Sequence, residues 1–228
     1  MVEVQRISPD WQCPVVVAAT GPSLTADVAA RVRRARWPEG KCRVVAINDA
    51  YRLLPYADIL YACDERWWRA HIEEIERTFH GERWTTHEEK SETNNKRGIP
   101  DGWKVRAVAG ASQPGFSTNG AVVHYGSNSG FQAINLALLK GATRVILVGF
   151  DMKGRGHFFG DHPEPLHNRT SYAEFVPEFR AAARRCRTPI FNATPGSGLD
   201  CWPRVTLEEA LADDRLCGDR AEPAAGAA

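Results

Sequence analysis

Asp151, His157, Asp161, His162 and His167 fall within seventeen residues, in the stretch GFDMKGRGHFFGDHPEPLHNRTSY. All five are residue types that can move a proton or ligate a metal. An imidazole titrates near neutrality and suits general acid or base work, and a carboxylate nearby can orient it. His162, in "FFGDH", and His157 are therefore candidate bases, and Asp151 is the candidate carboxylate. The same residues could ligate a metal, but their spacing matches no closed zinc pattern, and neither HExxH nor a cysteine pair accompanies them. A polar surface loop with incidental histidines has the same composition. The absence of GxSxG, and of a reactive context for any of the six cysteines, argues against a nucleophilic triad.

A second kind of chemistry is indicated by VVVAATGPSL (15–24), where an apolar strand runs directly into Gly-Pro-Ser. A glycine turn ahead of a helix offers free backbone N–H groups at the positive end of the macrodipole, an anion seat. Gly21 would supply the backbone amide, and Ser23 would cap the helix and add a hydroxyl. Neither GxxxxGK[ST] nor GxGxxG is present, so a P-loop and a standard dinucleotide fingerprint are both excluded.

Comparable residues follow or flank the other strands. They are Asn48 and Asp49, Asp64 and Glu65, Gly126-Ser127-Asn128-Ser129 ahead of Gly130, Gly149-Phe150-Asp151, and Thr194-Pro195-Gly196-Ser197. Each group alone reads as a helix cap or a turn. Their recurrence at one edge of one sheet favours a binding site.

The elements that must position these residues alternate. Strands are expected over 15–19, 44–47, 59–63, 104–108, 145–148 and 190–192. Helices are expected over 24–35, 64–78, 130–139, 172–185 and 206–212. In SGFQAINLALLKGATRVILVGFD, Phe131, Ile134, Leu138 and Leu139 form a helical stripe, Gly141 ends the helix, and an apolar strand follows. Apolar strands separated by helices predict an α/β fold with a mostly parallel, Rossmann-like sheet flanked by helices. In such sheets, ligands bind beyond the carboxyl ends of the strands. The stretch 80–127 is polar and dotted with tryptophan, and is expected to be a surface excursion or lid.

The 228 residues predict one nucleotide-binding domain over 1–216 and a disordered Ala/Pro/Gly-rich tail over 217–228. A formal charge of +1 argues against a protein that coats nucleic acid. Arginine clusters at 31–36 and 180–187 read as solvated helix faces. No apolar run is long enough to span a bilayer. The N-terminus does not resemble a signal peptide and the cysteines are unpaired in pattern, so a cytoplasmic setting with reduced thiols is expected.

Together, "ATGPSL", "IND", "NSGFQAINLALLKGATRVILVGFDM" and "NATPGSGL" resemble the bacterial sialyltransferases of glycosyltransferase family 42. They also resemble relatives of that family, the motility-accessory-type proteins and the archaeal hydroxymethyl-dihydropterin diphosphokinases. The resemblance runs from about Val15 to Leu211 and omits the polar middle. It implies that Gly21, Pro22, Ser23, Asn48, Ser129 and Gly130 contact a cytidine nucleotide, and that His162, or secondarily His157, is the base. Gly196 stands where the family has Asn, which leaves the nucleotide open. The family's acceptor-binding tyrosines have no counterpart in the motifs, so the acceptor, a glycan or a hydroxylated base, is open too.

The leading expectation is a glycosyltransferase that takes a sugar from a CMP-sugar or similar donor. Amides at Gly21 and Ser129 would hold the donor, Asp64, Asn128, Gly149 and Ser197 would complete its cradle, and no metal would be required. An alternative is an ATP/Mg²⁺ diphosphokinase with Asp64 and Asp151 as ligands. Another is a non-catalytic nucleotide-binding protein.

Overall fold

The computed structural model describes residues 4–87, 99–154, 156–162, 166 and 171–212; His167 and the tail lie outside these. The chain forms β1 (Pro14–Ala18), α1 (Ala26–Arg36), β2 (Arg43–Ile47), β3 (Ile59–Tyr61), α2 (Glu65–Thr78) and β4 (Glu82–His87). It continues through β5 (Val105–Ala111), β6 (Val122–His124), α3 (Ser129–Leu139), β7 (Arg144–Val148), α4 (Val176–Ala183), β8 (Ile190–Asn192) and α5 (Leu207–Leu211). One eight-stranded sheet results, in the order β6-β5-β4-β3-β2-β1-β7-β8. Every pairing is parallel.

Alternation along the strands divides the core into two layers. Val15 and Val17 of β1 join Phe131, Ile134 and Phe179 on one side of the sheet. Val16 and Ala18 join Val32, Trp68 and Ile75 on the other. Since both faces are covered, a strand can be apolar at every position, as PVVVA is. Each fully buried Val contributes about 1.5–3 kcal/mol, which favours this two-sided burial over an exposed face.

The helix starts follow local capping chemistry. The Thr25 hydroxyl accepts from the Val28 amide, so Thr25 caps α1 and the expected cap, Ser23, does not. Asp64 and Asn128 cap α2 and α3. The expected helix over 172–185 is a 3-10 turn over Tyr172–Phe175 followed by α4. Pro177 lies in the first turn of α4, where its missing N–H costs nothing.

Within the stretch 80–127, expected as an excursion or lid, β5 matches the strand expected over 104–108, and β4 and β6, which were not expected, extend the sheet on either side of it. Two buried amides on α3 hold β4 and β6. The Gln132 carbonyl accepts from Tyr61 Oη at 2.6 Å and Thr86 Oγ1 at 3.1 Å. Asn135 Oδ1 accepts from the Ser117 and His124 amides, both at 3.0 Å, and its Nδ2 donates to the Ser117 carbonyl at 2.9 Å. These bonds let a polar sequence enter a sheet without leaving buried groups unpaired. No helix among the described residues is long and apolar enough to cross a membrane.

Candidate functional site

From β1, the chain places β2 to β6 on one side and β7 and β8 on the other, so the topology switches between β1 and β7. Parallel strands that diverge in this way open a crevice at their carboxyl ends. A cavity of about 380 Å³ occupies it. Ten of the expected residues line that cavity: Gly21, Asn48, Asp64, Asn128, Ser129, Gly130, Gly149, Asp151, His157 and His162. They come from the ends of four strands, the start of α3 and the loop after β7.

The Gly-Pro-Ser turn is bare for a reason other than the one expected. A Cβ at Gly21 would collide with the Asp151 carboxylate and would lie 2.5 Å from the Gly149 carbonyl oxygen. The Gly21 amide donates to that carbonyl at 2.9 Å, so it is not available to a ligand phosphate. Ser23 donates to the Asp151 carboxylate through Oγ at 2.7 Å and through its amide at 3.3 Å. The anion on this turn is therefore the protein's own. Gly149 is needed as glycine because its φ is +71° and a Cβ there would meet the Ala19 carbonyl.

This arrangement corrects several expectations. Asp151 anchors the turn and orients no histidine among the described residues. Ser23 holds Asp151, and Pro22 is exposed outside the cavity lining. Ser197 is fully buried, donates to the Phe150 carbonyl at 2.5 Å and accepts from the Leu199 amide, so it cannot cradle a nucleotide.

The start of α3 keeps the anion-binding character. Asn128 Oδ1 accepts from the Phe131 amide at 2.9 Å, and Nδ2 donates to the Gly126 carbonyl. The first helical amides, those of Ser129 and Gly130, precede any intrahelical acceptor and belong to residues that line the cavity. The Ser129 hydroxyl lies 3.0 Å from Cys63 Sγ and ties α3 to the end of β3. Across the cavity, Asn48 takes a left-handed conformation, φ +48°. It is followed by the buried Asp49, which accepts from Trp67 Nε1 at 2.7 Å and pairs with His71 Nε2 at 3.3 Å. Burial opposes the charge on Asp49, but the bonds from His71 and Trp67 outweigh it and hold the carboxyl below its ordinary range. Burial opposes the charge on His71 as well, and the bond to Asp49 raises its pKa overall.

The two candidate bases differ sharply. His157 Nδ1 lies 2.8 Å from Thr20 Oγ1, and Nε2 lies 2.8 Å from Tyr172 Oη. Burial, reinforced by His162, pushes its pKa down to about 4. A neutral imidazole with both nitrogens engaged has no lone pair to spare. His162 is half-buried, and burial lowers its pKa too. Among the described residues, no hydrogen bond occupies its ring nitrogens. It packs edge-on against His157 and Phe159 at 4.7 and 4.9 Å. A neutral, unbonded imidazole facing a cavity is a competent base.

Thr20, in the expected Thr20-Gly21-Pro22-Ser23 strand end, also lines the cavity, and sequence reading missed Trp67, Arg66 and Tyr172, which line it too. Tyr172 and Trp67 lie inside helical patterns and give no local sign of facing a cavity.

The alternative Mg²⁺ ligands, Asp64 and Asp151, both already have partners within the protein. Asp64 caps α2 and pairs with Arg66 at 2.8 Å, while Asp151 is held by Ser23. No group of three or more His, Cys, Asp or Glu among the described residues could hold a metal. Fold and site define a class: an α/β protein with a Rossmann-like sheet and a polar cavity at its switch point. No protein-family model matches the chain, and no curated protein matches its sequence.

Proposed function

We propose that the protein is a transferase that uses a nucleotide-activated donor, most simply a nucleotide-sugar, and passes the sugar to an acceptor hydroxyl. One observation carries this reading: the imidazole of His162, unbonded among the described residues, and the starting amides of α3 line the same cavity at the switch point. The acceptor oxygen forms a bond to the anomeric carbon as the bond from that carbon to the donor phosphate breaks. The acceptor proton passes to a ring nitrogen of His162, and the electron pair leaves with the phosphate. The Ser129 and Gly130 amides, at the positive end of α3, stabilise that departing charge.

Calorimetry against CMP, UMP, GMP and ATP tests the binding half, and failure to bind any of them refutes the proposal. For whichever nucleotide binds, His162→Gln is expected to leave Kd within about twofold. Sugar transfer from the corresponding donor should fall by about 10²- to 10⁴-fold, the usual contribution of a general base. Binding without any transfer in the parent protein would make it a nucleotide-binding protein with no reaction.

A further inference from the structure

We propose that Thr20, His157 and Tyr172 form a latch that positions His162, with His157 holding the neighbouring imidazole in place and not acting as a base itself. The inference rests on His162 being the base of the proposed transfer, but the geometry behind it is independent of the donor.

The latch closes at both ends. Thr20, buried just beyond β1, meets His157 Nδ1 through its hydroxyl at 2.8 Å, and its carbonyl accepts from the Phe158 amide at 2.9 Å. One residue thus fixes the loop after β7 both by backbone and by side chain. At the other end, the Tyr172 hydroxyl meets His157 Nε2 at 2.8 Å, and its amide donates to the Gly154 carbonyl at 3.0 Å. Tyr172 thus holds His157 through its hydroxyl and Gly154 through its amide.

The clamped ring then builds a corner. Phe159 stacks on His157 with centroids 4.8 Å apart and planes at 11°. His162 stands edge-on to both, at 69° to His157 and 63° to Phe159. Rotation of His157 would move both walls against which His162 rests. His157 also stays uncharged at neutral pH, since its pKa lies near 4. A cationic neighbour would oppose the proton that His162 has to accept.

The test is ring NMR of histidine-labelled protein, with titration of His162, in Thr20→Val, Thr20→Ser and Tyr172→Phe. Asp49, Asp161, His71 and Arg52 also act on His162, and all are retained in these variants. Thr20→Val and Tyr172→Phe should broaden the His162 ring signals and move its midpoint up toward the ordinary value of about 6.5. Thr20→Ser, which keeps the hydroxyl, should restore the parent midpoint. In the transfer assay, the two disruptive variants should lower kcat by about tenfold or more.

The proposal is overturned if the His162 midpoint stays within about 0.2 units of the parent in both disruptive variants. The two ends of the latch are tested separately, so a variant that fails to fold leaves the other to decide. If the midpoint moves but His162→Gln remains fully active, the latch stands and the assignment of the base falls.

Discussion

Replacing Asp151 by Ala tests whether the Gly-Pro-Ser turn is held by the protein's own carboxylate. The carboxylate accepts from Ser23 Oγ at 2.7 Å and from the Ser23 amide at 3.3 Å. A hydrogen bond to a charged group contributes about 1.5–3 kcal/mol, and the longer amide contact adds less. Water can reach half-buried Ser23 and offsets part of the loss, so the expected destabilisation is about 2–3 kcal/mol. With a urea m value of about 3 kcal/mol/M, the midpoint should fall by about 0.7–1 M. Asp151→Asn keeps an acceptor and should cost about 1 kcal/mol. In Asp151→Ala the turn becomes a vacant anion seat, so about 50 mM inorganic phosphate should restore part of the lost stability. If phosphate binds with a Kd of about 5 mM, the recovery is about 1.4 kcal/mol, with no such gain in the parent. A midpoint for Asp151→Ala within about 0.2 M of the parent would refute the reasoning.

Three further outcomes are expected. Ser197→Ala should destabilise the fold by about 1–3 kcal/mol in urea, because the Phe150 carbonyl loses its donor and the Leu199 amide its acceptor, while nucleotide Kd stays unchanged in calorimetry. Asn128→Ala removes the cap of α3 and should cost about 0.5–2 kcal/mol and also weaken nucleotide binding, since it loosens the amides of Ser129 and Gly130. His157 has a folded pKa of about 4, below its unfolded value of 6.5. The unfolded chain therefore takes up a proton that the native state refuses, and stability present above about pH 6.5 is lost as pH falls toward 4. Urea midpoints at pH 7.5, 6 and 5 should show this decline, and His157→Gln should flatten it.

The sheet was legible because its central strands leave no choice. A run such as PVVVA, apolar at every position, can be satisfied only when both faces are covered, and the helices between the strands supply the cover. The strands β4 and β6 were not legible. ERWTTH contains buried threonines, one of whose hydroxyls finds its partner in Gln132 on α3, forty-six residues away. No local pattern can show that such a partner exists, so a strand satisfied from a distance looks like a polar loop.

The same division runs through the site. The sequence determined which residue types stand at the carboxyl edge, because caps and turns are local requirements met by Asn128, Asp64 and the glycines. It could not determine what each group bonds to. The Gly21 turn looked like a phosphate seat until Asp151, 128 residues after Ser23 along the chain, was found on it. His157 and His162 were equivalent as residue types. Only the fold gave one of them two hydroxyl partners, from Thr20 and Tyr172, and left the other facing the cavity. Protonation state and availability depend on burial and on partners brought in from distant elements, and these are set by tertiary structure alone.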